Sequence, residues 1–155
     1  MAELQVLNTR KVKQFKKIIL EQWGVDFDDS YLVLWRPDGS TYIVNKEIKK
    51  IDLSKLRIKN LGLFFAEWSR KDFCLSIEGS QIIGPKAKRN VIEFDKKQAE
   101  EWLLGQDAEL TEKQLTETKG CFIVKYKKDF LGSGKIKNKV LQNSVPKTRR
   151  IGSIV

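Results

Sequence analysis

Apolar residues recur with a helical period at Val12, Phe15, Ile18, Ile19 and Trp23, between Thr9 as N-cap and Gly24 as stop. They predict an amphipathic first helix. Arg10, Lys11, Lys13, Lys16 and Lys17 occupy its polar face against Glu21. The period then falls to two. Tyr31 to Trp35 and Thr41 to Val44 read as strands joined by Arg36-Pro37-Asp38-Gly39, with proline and glycine where turn geometry wants them. Asn45 is placed to cap a short helix from Lys46 to Ile51. Leu53, Leu56 and Ile58 interrupt the polar connection from Asp52 to Asn60 as contacts pinning it to a core. A second hairpin follows, Gly62 to Trp68 and Phe73 to Ile77 around a turn at Ser69 to Asp72. The glycine- and proline-bearing passage Glu78 to Pro85, then Lys86-Ala87-Lys88-Arg89, changes the character of the chain. A boundary between two units is placed at Pro85 to Arg89.

The second half opens with a short apolar strand, Val91 to Phe94, running into Asp95. Asp95 and Gln98 have the spacing of a capping box, so a helix starts at Lys96 with Ala99, Trp102 and Leu103 on its apolar face, and Gly105 offers a left-handed stop. Cys121 to Tyr126 alternates, with Phe122, Val124 and Tyr126 on one face and Cys121, Ile123, Lys125 and then Lys127 on the other, as a half-buried strand does. Lys128 and Asp129 form a turn and the return strand begins at Phe130. The same alternation puts Lys125 with Lys127, and Lys135 with Lys137, toward one solvent face of the hairpin. Gly132-Ser133-Gly134-Lys135 is not a phosphate loop, because that spacing needs glycine at Asp129 and Ser or Thr at Ile136. Glycine here is expected to let a neighbouring backbone approach.

Strand, helix ending in glycine, polar connector and a hairpin with a glycine pair is an order similar to that of PUA domains, small RNA-binding barrels. Downstream, Leu141-Gln142-Asn143-Ser144-Val145-Pro146-Lys147 with Arg149 and Arg150 resembles the "KNxxPKxxR" ending of the PUA-like C-terminal domain of Sun-family RNA cytosine-5 methyltransferases, with Gln142 at the position of its first lysine. The passage GLFFAEW…LSIEGSQIIGP resembles the end of the small α/β element that precedes the PUA part in that family and in PUA-type ribosome-assembly factors. The resemblance implies an α+β protein, with a small N-terminal α/β domain over residues 1–87 followed by a C-terminal PUA-like β-barrel over residues 88–155. It also implies that RNA is held by the loop after the helix, at Gly105 and Gln106, and by Lys147, Arg149 and Arg150 after the hairpin.

Charge narrows the partner. Thirty basic against twenty acidic residues give a net +10, and from Lys125 onward nine basic residues face one acid, Asp129. That distribution points to a polyanion. Together with Gly105 and Gln106, which the resemblance implies, the expected RNA-binding set is Lys125, Lys127, Lys135, Lys137, Lys147, Arg149 and Arg150. Arginine forks onto phosphate or stacks on a base better than lysine does.

The chain has no histidine, so the commonest general base and metal ligand are both missing. Cys74 and Cys121 lie outside any Cys-x-x-Cys pair, too few for structural zinc, and are expected as two buried strand thiols in a reducing cytoplasm. Sun-type catalysis needs two cysteines in Pro-Cys motifs and a glycine-rich cofactor loop, whereas Cys74 follows Phe73 and Cys121 follows Gly120. Neither cofactor nor metal is expected. No apolar run approaches ~18 residues and no secretory leader is visible, so a cytoplasmic protein without membrane attachment is expected. Two readings remain. One is a non-catalytic RNA-binding protein of rRNA or tRNA modification or ribosome assembly, partnered by RNA and by an RNA-modifying enzyme or pre-ribosome. The other is a protein-interaction subunit that completes an RNA methyltransferase.

Overall fold

The first helix, α1 (Thr9–Trp23), begins one residue earlier than Thr9 predicts. Asn8 is the cap, and its side chain accepts from the Lys11 N–H at 2.9 Å. Asparagine outranks threonine in that role. Gly24, at φ 73, closes the helix by donating its N–H to the Leu20 carbonyl at 2.8 Å. Phe15, Ile19 and Trp23 form the buried stripe. In this computed structural model, which describes residues 4–47, 62–115 and 119–145, that stripe covers an antiparallel sheet. Its strands are β1 (Gln5–Val6), β2 (Tyr31–Trp35), β3 (Ser40–Asn45), β4 (Leu63–Trp68) and β5 (Phe73–Leu75), in chain order. Phe15 sits at the centre, its ring 5.0 Å from Phe27 and 5.6 Å from both Phe65 and Phe73. Lys46 and Glu47 enter a helical turn under Asn45, whose side chain accepts from Glu47 at 2.9 Å. The rest of the helix expected to Ile51, and the connection from Asp52 to Asn60, lie outside the described residues.

β5 does not run to Ile77. Ser76 turns the chain by donating its hydroxyl to the Phe64 carbonyl at 2.6 Å and accepting from the Gly79 N–H at 2.9 Å, and α2 (Ile77–Ile83) follows, ending in a 3-10 turn at Gly84–Lys86. Two glycines and a proline gave this passage the look of a linker. Gly79 instead serves packing, since a Cβ there would collide with the Phe65 carbonyl oxygen.

The second sheet takes β6 (Val91–Glu93), β7 (Ala108–Glu109), β8 (Cys121–Tyr126), β9 (Asp129–Lys137) and β10 (Val140–Asn143) in the order β6-β8-β9-β10-β7. The expected capping box is present at the start of α3 (Lys96–Leu103), and α3 crosses over from β6 to its parallel neighbour β8. The turn lies one residue earlier than expected, at Lys127 and Lys128, and Asp129 already pairs with Tyr126. A further two-residue turn, Asn138 and Lys139 at φ 53 and 64, produces β10, a strand the alternation did not announce. The sheet curls into a half-barrel. Its edge strands are bridged by side chains: Gln98 donates to the Glu109 carbonyl at 2.8 Å, Gln114 donates to the Glu93 carbonyl at 2.7 Å, and the two amides bond each other at 2.9 Å.

β8 is not half-buried. Phe122 and Val124 enter the core under α3, while Cys121 and Ile123 enter the core under α1. A strand buried on both faces reads as a continuous apolar run, and Cys121-Phe122-Ile123-Val124 is one, with the lysine and tyrosine confined to its far end. Cys121 is not a free thiol, because β5 lies against β8 and Cys74 pairs with it in a disulfide, Cα to Cα 5.4 Å. That span is ordinary for a disulfide. The adjacency of these strands is a tertiary fact with no local signal.

Candidate nucleic-acid interface

The loop after α3 is fixed by its own backbone and by one side chain from β10. Gly105, at φ 92, donates to the Trp102 carbonyl at 2.9 Å, and Gln106 donates to Glu101 at 3.0 Å. Asn143 then reaches in. Its amide donates to the carbonyls of Trp102 at 2.8 Å and Gln106 at 3.1 Å, its side-chain oxygen accepts from Val145 at 2.8 Å, and its backbone N–H donates to Asp107 at 2.8 Å. Gly105 is thereby held half-buried while Gln106 projects into solvent. Below the loop, the Trp102 indole is fully buried and donates to the Leu131 carbonyl at 3.0 Å.

The glycine pair belongs to the same construction. Asn143 pairs across the sheet with Gly134, where a Cβ would run into the Gln142 carbonyl oxygen and crowd Trp102. Gly132 sits at φ 116, a conformation glycine adopts freely. Close backbone packing accounts for Gly134 and backbone conformation for Gly132.

The lysines do not form one row. The turns at Lys127 and Asn138 lie at opposite ends of β9, and at ~3.3 Å per residue that places them roughly 25 Å apart. Lys127 and Lys128 are exposed at one end, and Lys137 is exposed at the other. Lys125 extends over the Phe130 ring, 5.8 Å from its centroid, and Lys127 lies 5.4 Å from that of Tyr126. Lys135 is held in an ion pair with Asp72, in the turn between β4 and β5. Lys139 approaches Glu112 at 3.8 Å. Lys147, Arg149 and Arg150 lie outside the described residues. The structure thus brings Gly105 and Gln106 together with Asn143, and separates Lys125 and Lys127 from Lys137.

Residues 89–151 match the family described as the methyltransferase RsmF PUA domain. The C-terminal half is similar to a PUA domain. The chain is 32% identical over 93 residues, 60% of its length, to the ribosomal RNA small subunit methyltransferase F of Aeromonas salmonicida, and 25% identical over 138 residues, 89% of its length, to that of Shewanella oneidensis. It spans 19% and 28% of the lengths of those two proteins. Both matched stretches are longer than the PUA domain, so the likeness reaches into the N-terminal half.

The first residues of the PUA domain are bonded to the end of α1. Arg89 donates to the carbonyls of Leu20 at 2.7 Å and Glu21 at 2.8 Å, and Asn90 donates to Gln22 at 2.6 Å. Gln22 returns a bond to the Cys121 carbonyl at 2.9 Å. Deeper in, Ser133 donates to the Leu75 carbonyl at 2.7 Å, and the Gly132 N–H donates to Ser80 at 3.0 Å. Asn143, Asp107 and Ser133 were missed as site-building residues. Asn143 stood in the recognised ending only as a letter, since nothing nearby in sequence tells which carbonyls its amide will meet.

Proposed function

We propose that this protein binds ribosomal RNA through its PUA domain and serves rRNA modification without a catalytic site of its own. The observation that carries the reading is the PUA match over residues 89–151, shared with relatives named as small-subunit rRNA methyltransferases. The rigid loop at Gly105 and Gln106 supports it, because a pre-organised contact loses less entropy when RNA docks. The exposed cations Lys127, Lys128 and Lys137 supply the attraction for phosphate. The non-catalytic part is supported by the lack of histidine and by the use of both cysteines in a disulfide, which leaves neither as a thiolate nucleophile.

Titration of small-subunit rRNA fragments by fluorescence anisotropy at several salt concentrations tests the reading. If about four phosphates are neutralised, log affinity falls against log salt with a slope of magnitude ~3 for a single strand. Absence of binding, or binding indifferent to salt, refutes it. Co-purification with a methyltransferase without affinity for RNA is the result that the interaction-subunit reading predicts instead.

A further inference from the structure

A groove of about 670 Å³ runs between α1 and the outer edge of the first sheet. Its wall on the helix side is one stripe of α1, Lys11, Gln14, Lys17 and Ile18, which lies beside the buried stripe of Phe15 and Ile19. Its opposite wall carries the indoles of Trp35 and Trp68, both half-exposed, and the exposed Arg70 in the turn after β4. Trp68 is anchored from behind by Phe15 at 6.0 Å and Phe73 at 5.9 Å, so its ring is held in place. The Lys11 ammonium lies 5.8 Å from that ring's centroid.

Fixed, half-exposed aromatic faces beside cations are what an unpaired nucleotide requires, a surface for the base and charge for the phosphate. The volume falls in the range of small-ligand pockets, roughly 300–1,000 Å³. Charge selects the occupant further. Lys11, Lys17 and Arg70 face one acid, Glu21, which lies 3.8 Å from Lys17, so a basic peptide would be repelled and a polyanion attracted. A base-paired helix cannot offer an isolated base to such a groove, whereas a single-stranded flank can.

We propose that this groove takes an unpaired nucleotide of the bound RNA, its base against Trp68 and its phosphates beside Lys11 and Arg70. The proposal rests on the RNA-binding reading and adds to it a second contact on the N-terminal half. The base displaces the Lys11 ammonium from the indole and frees it for phosphate.

The experiment compares two RNAs, a blunt hairpin and the same hairpin with a five-nucleotide single-stranded flank, titrated against the full chain and its Lys11→Ala/Arg70→Ala variant. The wild type should bind the flanked RNA about tenfold more tightly, and the variant should lose most of that advantage while binding the blunt hairpin as before. A short single-stranded oligonucleotide should also quench indole fluorescence in the wild type, and much less so in Trp68→Phe. Equal loss on both RNAs overturns the groove, since its cations would then act only as diffuse charge. An unchanged flank advantage in the variant, or identical quenching in Trp68→Phe, overturns it as well while leaving RNA binding by the PUA domain intact. If the wild type binds neither RNA, the functional reading falls with it.

Discussion

Asn143 is the residue on which the loop after α3 depends, and two substitutions separate what it does. Asn143→Ala removes two donated bonds, to Trp102 and Gln106, and one accepted bond, from Val145. Each such bond contributes about 0.5–1.5 kcal/mol net. The site is half-exposed, so water recovers part of the loss, and the expected cost is about 2 kcal/mol. Asn143→Asp keeps the acceptor for Val145 but sets a carboxylate against two carbonyl oxygens, with the Asp107 carboxylate already bonded to the same residue's backbone. It should therefore be the worse variant at neutral pH, by about 1 kcal/mol more. Urea denaturation reads both. With an m-value of ~2 kcal/mol/M the alanine variant shifts the midpoint by about 1 M. Below about pH 4 the aspartate gains a proton it can donate, and the gap to the alanine variant should narrow. Amide exchange at Gln106 should accelerate in both, and RNA affinity should fall with it. An aspartate variant as stable as wild type refutes the reasoning, because the donated bonds would then contribute nothing.

Gly134→Ala should destabilise by about 1–3 kcal/mol through overpacking against β10 and Trp102, seen as a lowered melting temperature. Full RNA binding together with full stability in that variant would contradict the packing role. Cys74→Ser/Cys121→Ser, and equally the wild type in reductant, should lose up to ~4 kcal/mol, the loop-entropy limit for a sequence separation of 47, without losing RNA affinity. Identical urea midpoints with and without reductant would count against the disulfide. Asp38, whose carboxylate accepts from the Ser40 N–H, is held below its ordinary pKa by that bond first. A depressed folded pKa gives stability that is present above the unfolded pKa of 3.8 and lost as pH falls through the folded value. Asp38→Asn should accordingly flatten the stability profile below about pH 4.

The elements that announced themselves were those with strong local chemistry. The capping box of α3, the Pro-Asp-Gly turn between β2 and β3 and the apolar stripe of α1 are all where the pattern puts them. What escaped notice depended on partners distant in sequence. α2 was hidden because Gly79 looks like a breaker until Phe65 is beside it. The apolar run Cys121 to Val124 carried the double burial of β8, but that α1, about a hundred residues earlier, supplies the second cover was not legible. For the candidate site, Gly105 was legible as a helix stop, whereas the engagement of Lys135 by Asp72 needed the β4–β5 turn to be brought alongside.

The junction between the halves has a consequence for any RNA that touches both. Arg89 and Asn90 clamp the end of α1, Ser133 and Gly132 bond the strand and helix behind them, and β8 contributes one face to each core. A hinge at this boundary would have to break all of these together, so the groove beside Trp68 and the loop at Gln106 keep a set separation. For an RNA that meets both surfaces, such a fixed spacing would work as a gauge rather than a clamp. An RNA that fits does so by bending or opening to that spacing, and selection among RNAs becomes a matter of how cheaply each can take the required shape.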